Sequence, residues 1–195
     1  VALFSGRAYN IICELLGSNW YAVAATVALG ALAVCHIVYA FILTAQNRSA
    51  RGANRYEVTA KPEKVEWASQ NMLVLGIIVL LGLALHLFNF WYNMMFAELV
   101  GMRTVLEPTD GFGLIRATFQ SKVYVILYVI WIVALWYHLS HGFWSAMQTI
   151  GINGKVWFNR WKVIGTVYVT LLMLAFLVVV LAFAFGCAPS LHCAA

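Results

Sequence analysis

Residues 136–144 lie inside a long apolar run and read Trp136-Tyr137-His138-Leu139-Ser140-His141-Gly142-Phe143-Trp144. A histidine held away from water in a membrane helix is costly, so it usually has a partner or a function. His138 and His141 are three residues apart and therefore share one helix face, with Gly142 directly after them. Two more histidines, His36 and His86, lie inside the two preceding apolar runs. Histidines on three membrane helices predict a bundle built around a planar cofactor with axial imidazole ligands.

The composition is typical of a membrane protein. Of the 195 residues, 64% are hydrophobic and only 10% are charged, whereas a soluble domain has about 25% charged residues. The net charge is +5, but no basic run with interleaved polar groups suits a phosphate backbone, so no nucleic-acid binding is expected. No two of the four cysteines form a CxxC pair, which argues against a zinc or iron–sulfur site in this chain.

Four apolar segments are long enough to cross a bilayer, which takes about 20 residues. They cover approximately residues 19–45, 67–95, 121–150 and 163–185. Residues 1–18 predict an interfacial loop or short helix, and residues 98–120 predict a loop. The tail from Gly186 is expected to leave the membrane. We therefore expect an all-α membrane protein, with residues 1–195 forming one transmembrane helix-bundle domain of four spans.

Basic residues determine the expected orientation in the membrane. Loops 46–66 and 151–162 together hold eight Lys and Arg residues, and the opposite side holds four. Short loops rich in Lys and Arg remain in the cytoplasm. The distribution predicts a multi-pass protein of the inner, cytoplasmic membrane with both basic loops on the cytoplasmic side.

The depth of each histidine limits which pairs can bind one metal ion. His36 and His141 each lie ten residues from the cytoplasmic end of their spans, and His138 lies thirteen. At about 1.5 Å per residue, these three histidines lie roughly 15–20 Å deep. His86 lies nineteen residues from that side, or roughly 29 Å. His36 therefore pairs with His138 or His141, with a slight preference for His141 that helix tilt makes indecisive, whereas His86 has no partner at its depth.

Small residues recur one helical turn from the histidines, where a porphyrin edge needs room. They are Ala33, Ala40, Gly82, Ala134 and Gly142. Small residues also let membrane helices pack closely, and a single buried histidine can have a purely structural hydrogen bond. The recurrence of small residues beside all three histidines favours a haem-binding membrane cytochrome.

Three segments resemble one known family. They read HIVY at 36–39 with TAQNR at 44–48, WASQNM at 67–72 with HLFNFW at 86–91, and YHLSHGFWSAMQTIG at 137–151. The pattern resembles the cytochrome b membrane-anchor subunit of succinate dehydrogenases and quinol:fumarate reductases. The likeness is greatest to the single-chain, five-helix, dihaem type that is linked to menaquinone.

The resemblance implies a role for each histidine. In the family, the histidine four residues before the glycine is an axial ligand, which selects His138 and places His141 near a haem propionate. His36 and His138 would bind the iron of an inner haem b. His86 would bind an outer haem b together with a histidine of the first helix. Gly82 and Gly142 would lie against the haems.

The sequence departs from the family pattern in one respect. The first helix is absent, so the chain has four spans and no mate for His86. We expect that helix to precede residue 1, with residues 1–18 as the loop that follows it. Alternatively, the outer haem is missing or has a different ligand.

The resemblance also implies partners in the respiratory chain and the tricarboxylic acid cycle. A flavoprotein subunit and an iron–sulfur subunit would dock on the cytoplasmic loops and carry out the dicarboxylate chemistry of succinate dehydrogenase or fumarate reductase. This chain would pass electrons through haem to or from menaquinone in the lipid. The assembled complex could form a higher oligomer.

Quinone chemistry also needs a proton donor or acceptor near the ring. Glu14 and Glu98 are candidates, although either could be a solvated interfacial acid. Two other functions remain open. One is a dihaem cytochrome b of another membrane oxidoreductase, which shares histidines in helices but not the segment at 137–151. The other is a structural membrane anchor without a redox group.

Overall fold

The computed structural model describes residues 1–17, 19–51, 66–152 and 154–192. These residues form helices with short connections, and the described ranges contain no strand. The elements are α1 (Gly6–Gly17), α2 (Trp20–Arg51), α3 (Trp67–Gln70), α4 (Met72–His86), a π-helical segment (Leu87–Phe96), α5 (Ala97–Val100), α6 (Gly111–Gln120), α7 (Lys122–Thr149), α8 (Trp157–Ala184) and α9 (Pro189–His192). The prediction of an all-α protein is confirmed.

Four helical stretches are long and apolar enough to cross a membrane. They are α2, the stretch Met72–Val100 that includes α4, α7, and the stretch that begins with α8. The predicted four spans are therefore confirmed, but several boundaries differ, and the second span covers Met72–Val100 rather than 67–95. Residues 46–51, predicted to begin a loop, continue α2, and α8 begins at Trp157 rather than at residue 163. Hydropathy shows where the apolar residues of a span end. The helix can continue beyond that point because Gln and Arg also favour helical structure. Residues 52–65, most of the first basic loop, lie outside the described ranges.

The predicted loop at 98–120 is wrong over more than half of its length, because residues 98–100 belong to α5 and residues 111–120 form α6. Asp110 is followed by glycine, and this dipeptide is common in turns. The Asp110 side chain instead accepts a hydrogen bond from Gly113 N at 3.0 Å and caps the helix. Asp is a preferred N-cap residue because its carboxylate satisfies a free N–H of the first turn.

The backbone changes from α-helical to π-helical directly after His86, over Leu87–Phe96. Asn93 Nδ2 donates to the carbonyl oxygen of Phe88 at 2.9 Å and to that of Asn89 at 3.1 Å, so side chains contribute to the widened turns. Asn89 is itself buried, and its Nδ2 lies 3.3 Å from the Tyr128 hydroxyl. Widened turns of this kind are frequent at functional sites.

The centre of the bundle is the contact between α7 and α8. The buried side chains there include Tyr128, Ile132, Val169 and Met173. Two indoles of α7 add polar contacts within this apolar packing. Trp136 Nε1 donates to Thr170 Oγ1 of α8 at 2.8 Å, and Trp131 Nε1 donates to the carbonyl oxygen of Val79 in α4 at 3.0 Å. These bonds fix the rotation of α7 about its axis, which determines where its histidines lie.

The two ends of the chain meet. Residues 1–18 contain the short helix α1, one of the two predicted forms, and Asn10 on it joins α6 through Asp110 Oδ1 at 2.7 Å. The tail after Gly186 was expected to leave the membrane. In the structure, Ser190 is buried and its hydroxyl donates to the carbonyl oxygen of Ala2 at 2.7 Å. A short polar tail can pack on the protein when its hydrogen bonds are satisfied there.

Candidate functional site

His36 on α2 and His138 on α7 face each other. Their ring centres are 6.2 Å apart and their ring planes are nearly perpendicular, at 87°. An imidazole nitrogen binds a first-row metal ion at about 2.0–2.1 Å and lies about 1.1 Å from its ring centre, so two axial imidazoles have ring centres about 6.2–6.4 Å apart. The observed spacing therefore fits one metal ion between the two rings. The structure brings together the pair that the resemblance selected.

The helix α2 has few contacts with the rest of the bundle. In the described part of the chain, α2 packs substantially only against α1, and none of its most apolar stretch is buried. His36 is exposed although it lies within a span. An imidazole that faces hydrocarbon is unfavourable, so a group that binds the His36 imidazole would offset this cost.

Glycines surround His138. The Cε1 atom of His138 lies 3.8 Å from the position that a Cβ would take at Gly76 of α4. Gly142, one turn further along α7, has no heavy atom within 4 Å of the corresponding position. Nδ1 of His138 is buried and has no hydrogen-bond partner among the described residues. The histidine thus has an unsatisfied nitrogen and open space on its own helix face, as a flat cofactor requires.

His86 has a different environment. Its ring centre lies 5.1 Å from that of Phe90, 6.2 Å from that of Tyr128 and 5.4 Å from that of Trp131. The Trp131 indole occupies the space beside Gly82, where an added Cβ would overlap it. Nδ1 of His86 is buried without a hydrogen-bond partner in the described ranges. Aromatic rings therefore fill the space predicted for an outer porphyrin edge, and a second haem here stays a prediction.

His141 does not face His36 and forms a charged cluster instead. Its Nδ1 lies 3.2 Å from Glu66 Oε2, and the other oxygen of Glu66 accepts a hydrogen bond from Lys162 Nζ at 2.6 Å. This hydrogen bond, with a smaller contribution from His141, lowers the pKa of Glu66. The predicted contact between His141 and a haem propionate stays a prediction. In the structure, the Glu66 carboxylate lies beside the Nδ1 atom of His141.

The two candidate quinone-site acids differ in exposure. Glu14 on α1 is exposed, as a solvated interfacial acid would be. Glu98 is half-buried, its Oε2 lies against Gly17, and this oxygen has no hydrogen-bond partner among the described residues. Of the two acids, Glu98 is thus the better placed to exchange a proton with a bound group.

Sequence reasoning missed three residues near the histidines: Glu66, Gly76 and Lys162. Glu66 and Lys162 were treated as ordinary loop residues, although each lies at the predicted cytoplasmic end of a span. An acid and a base at the same membrane boundary are a weak signal that could have indicated the ion pair between Glu66 and Lys162. Gly76 had no signal, because only the packing of α4 on α7 brings it near His138.

The described residues contain no group of three or more His, Cys, Asp or Glu side chains that could hold a metal ion. The histidine pair suits a metal that a porphyrin already binds through four other positions. Comparisons with protein-family models, with curated proteins and with solved structures found no match to this chain.

Proposed function

We propose that this chain is the haem b-containing membrane anchor subunit of a succinate:quinone oxidoreductase, which passes electrons between an iron–sulfur subunit and membrane menaquinone. The observation that supports it best is the pair His36 and His138 on two different spans, with ring centres 6.2 Å apart. The three segments that resemble the family include both residues. The fold alone would suit many membrane proteins.

Each residue of the site has a defined task in this proposal. His36 and His138 supply the two axial imidazoles and hold the cofactor between α2 and α7. A haem held by these two imidazoles would supply transfer of single electrons rather than oxygen binding. Gly142 leaves room for the ring edge on the His138 face of α7. Gly76 lets α4 approach His138 closely.

The proposal assigns the remaining chemistry to partners. A flavoprotein subunit and an iron–sulfur subunit oxidise succinate or reduce fumarate on the side of the two basic loops. Lys155 and Arg160 are exposed at that end of α8 and are available to a partner surface. The side in question is the cytoplasmic one if positively charged loops determine the topology.

The test is a reduced-minus-oxidised spectrum of the purified complex and of single variants. His36→Ala and His138→Ala should each remove the same b-type band. Cys35→Ala, next to His36 and equally exposed, should retain it. His86→Ala should affect only a second band, if an outer haem is bound. The absence of any b-type band in the wild type would leave a structural anchor. A haem band without copurifying succinate dehydrogenase activity would instead favour another membrane oxidoreductase.

A further inference from the structure

A shallow groove lies on the outer face of α8, close to the end at which the helix begins. Its volume is about 270 Å³, and it is lined by Lys162, Val163, Thr166 and Val167. Val163 and Val167 are exposed on a helix that is long and apolar enough to cross a membrane, so the groove faces lipid. Its apolar wall suits a hydrocarbon chain.

Positively charged side chains lie at the outer end of the groove. Lys162 forms part of its wall. Arg160 and Asn159 precede Val163 by three and four residues, so both lie one turn nearer the start of α8 on the same side of the helix. The guanidinium carbon of Arg160 lies 5.2 Å from the centre of the Trp157 ring, which favours a cation in that position. The groove therefore runs from a cationic end to an apolar one.

The positive charge at this end of the bundle is only partly compensated. Among the described residues, Glu66 is the one acid there, and its two oxygens are taken by Lys162 and His141. Arg160 and Lys155 are both exposed, and neither forms an ion pair in the described ranges. The ammonium of a zwitterionic headgroup would find no free carboxylate here. The charges thus favour a headgroup with net negative charge.

Lys162 is ordered without a ligand. Its Nζ lies 2.6 Å from Glu66 Oε1 and 4.4 Å from the centre of the Trp144 ring. An ammonium group has three N–H donors, so it can serve Glu66 and a second acceptor beside the groove. Because the side chain is already held, binding costs little further side-chain entropy. Thr166 adds a hydroxyl about 6 Å further along the axis, where ester oxygens would follow a phosphate.

The segment before α8 also suits a lipid surface. Ile150, Ile152 and Val156 are large aliphatic residues, and all three are exposed. Apolar side chains beside basic ones at a membrane boundary are stabilised by insertion into the headgroup region. A lipid, with its phosphate next to its acyl chains, therefore matches this end of α8 better than the acidic surface of a soluble protein.

We propose that this groove is a binding site for an anionic phospholipid. The phosphate lies between Arg160 and Lys162, and one acyl chain lies along Val163 and Val167. The inference goes beyond the proposed function and does not depend on it, because it involves neither the histidine pair nor a redox group.

The experiment measures lipid binding to the full chain as purified, with any subunits that it retains. The protein is delipidated by detergent exchange and titrated with phosphatidylglycerol or with phosphatidylcholine of the same acyl chains. Native mass spectrometry gives the dissociation constant of the first bound lipid. Arg160→Gln removes one uncompensated charge, and Val167→Trp fills the groove without changing a charge. The matched controls are Arg116→Gln, an exposed arginine of α6 at the opposite end, and Val178→Trp, an exposed valine further along α8.

The wild type should bind phosphatidylglycerol about thirtyfold more tightly than phosphatidylcholine, because each of the two uncompensated cations contributes about fivefold. Arg160→Gln should reduce this preference to about fivefold. Val167→Trp should weaken the binding of both lipids several-fold, and the two controls should behave as the wild type does.

Equal wild-type affinity for the two lipids would overturn the proposal, as would wild-type affinities in Val167→Trp. The same loss in Arg160→Gln and in Arg116→Gln would show that only the overall charge matters. Displacement of the lipid by inorganic phosphate alone would reduce the groove to a phosphate site. A preference that appears only after retained subunits are removed would assign Arg160 to a protein partner instead.

Discussion

Replacing Gly142 with leucine tests whether α7 lies against a haem or only packs against other helices. Gly142 lies four residues after His138 on the same helix face, and no heavy atom lies within 4 Å of an added Cβ there. In the absence of a cofactor, the added Cβ meets no obstacle. Leucine in place of glycine within a helix is favourable by about 0.8–1.0 kcal/mol. The free energy of unfolding of the cofactor-free chain should therefore stay unchanged or rise.

The expected result is different when a porphyrin lies between α2 and α7. The leucine side chain then competes with the ring edge for the same space. Overpacking of this kind costs about 1–3 kcal/mol. At about 1.4 kcal/mol per tenfold change, haem should bind about 5- to 150-fold more weakly. The variant should thus combine an intact fold with a reduced haem content.

The assay is the haem content per chain from the pyridine haemochrome spectrum, together with a haemin titration and a thermal unfolding curve. The control is Gly30→Leu on α2, where an added Cβ also has no neighbour within 4 Å. Gly30 is six residues before His36 and so lies on another helix face. A Gly142→Leu variant that binds haem as tightly as the control would refute the idea that the gap beside Gly142 holds the porphyrin.

Three further predictions concern the surroundings of the site. Gly82→Ala should destabilise the protein by about 1–3 kcal/mol in chemical unfolding, because the added methyl group displaces the Trp131 indole. Asn10→Ala should cost about 1–3 kcal/mol in the same assay, because it removes the hydrogen bonds that join α1 to the start of α6. Burial raises the pKa of the Cys13 thiol, so at pH 8.5 iodoacetamide should label Cys13 several-fold more slowly than exposed Cys187, as followed by mass spectrometry. The difference should narrow as the pH rises, since the thiolate is the reactive form.

The spans were predictable because each depends on a short range of sequence. A run of about 20 apolar residues determines a span. A rise of about 1.5 Å per residue then limits which histidines share a depth. The choice of His138 over His141 did not follow from depth and needed the family resemblance. In the structure, His138 lies beside His36 because of the rotation of α7 about its axis. Hydrogen bonds from Trp131 to α4 and from Trp136 to α8 fix that rotation.

The cluster of Glu66, His141 and Lys162 was not predictable in the same way. His141 is 75 residues and Lys162 is 96 residues from Glu66 in the sequence, and only the packing of three elements brings them together. The helix α6 was not predicted, because Asp110 followed by glycine is equally typical of a turn and of a helix start. Composition and periodicity do not distinguish the two uses of one dipeptide.

The two predicted haem positions are therefore not equivalent in this chain. The ring centres of His36 and His138 are 6.2 Å apart, the spacing that two axial imidazoles require, and no heavy atom lies within 4 Å of an added Cβ at Gly142. Beside His86, three aromatic rings are already in contact, and Trp131 holds its position by a hydrogen bond to α4. Placing a porphyrin there requires breaking that bond and moving a large side chain. If the chain binds haem, the packing thus favours the position between His36 and His138 over the one beside His86, where Trp131 would have to move.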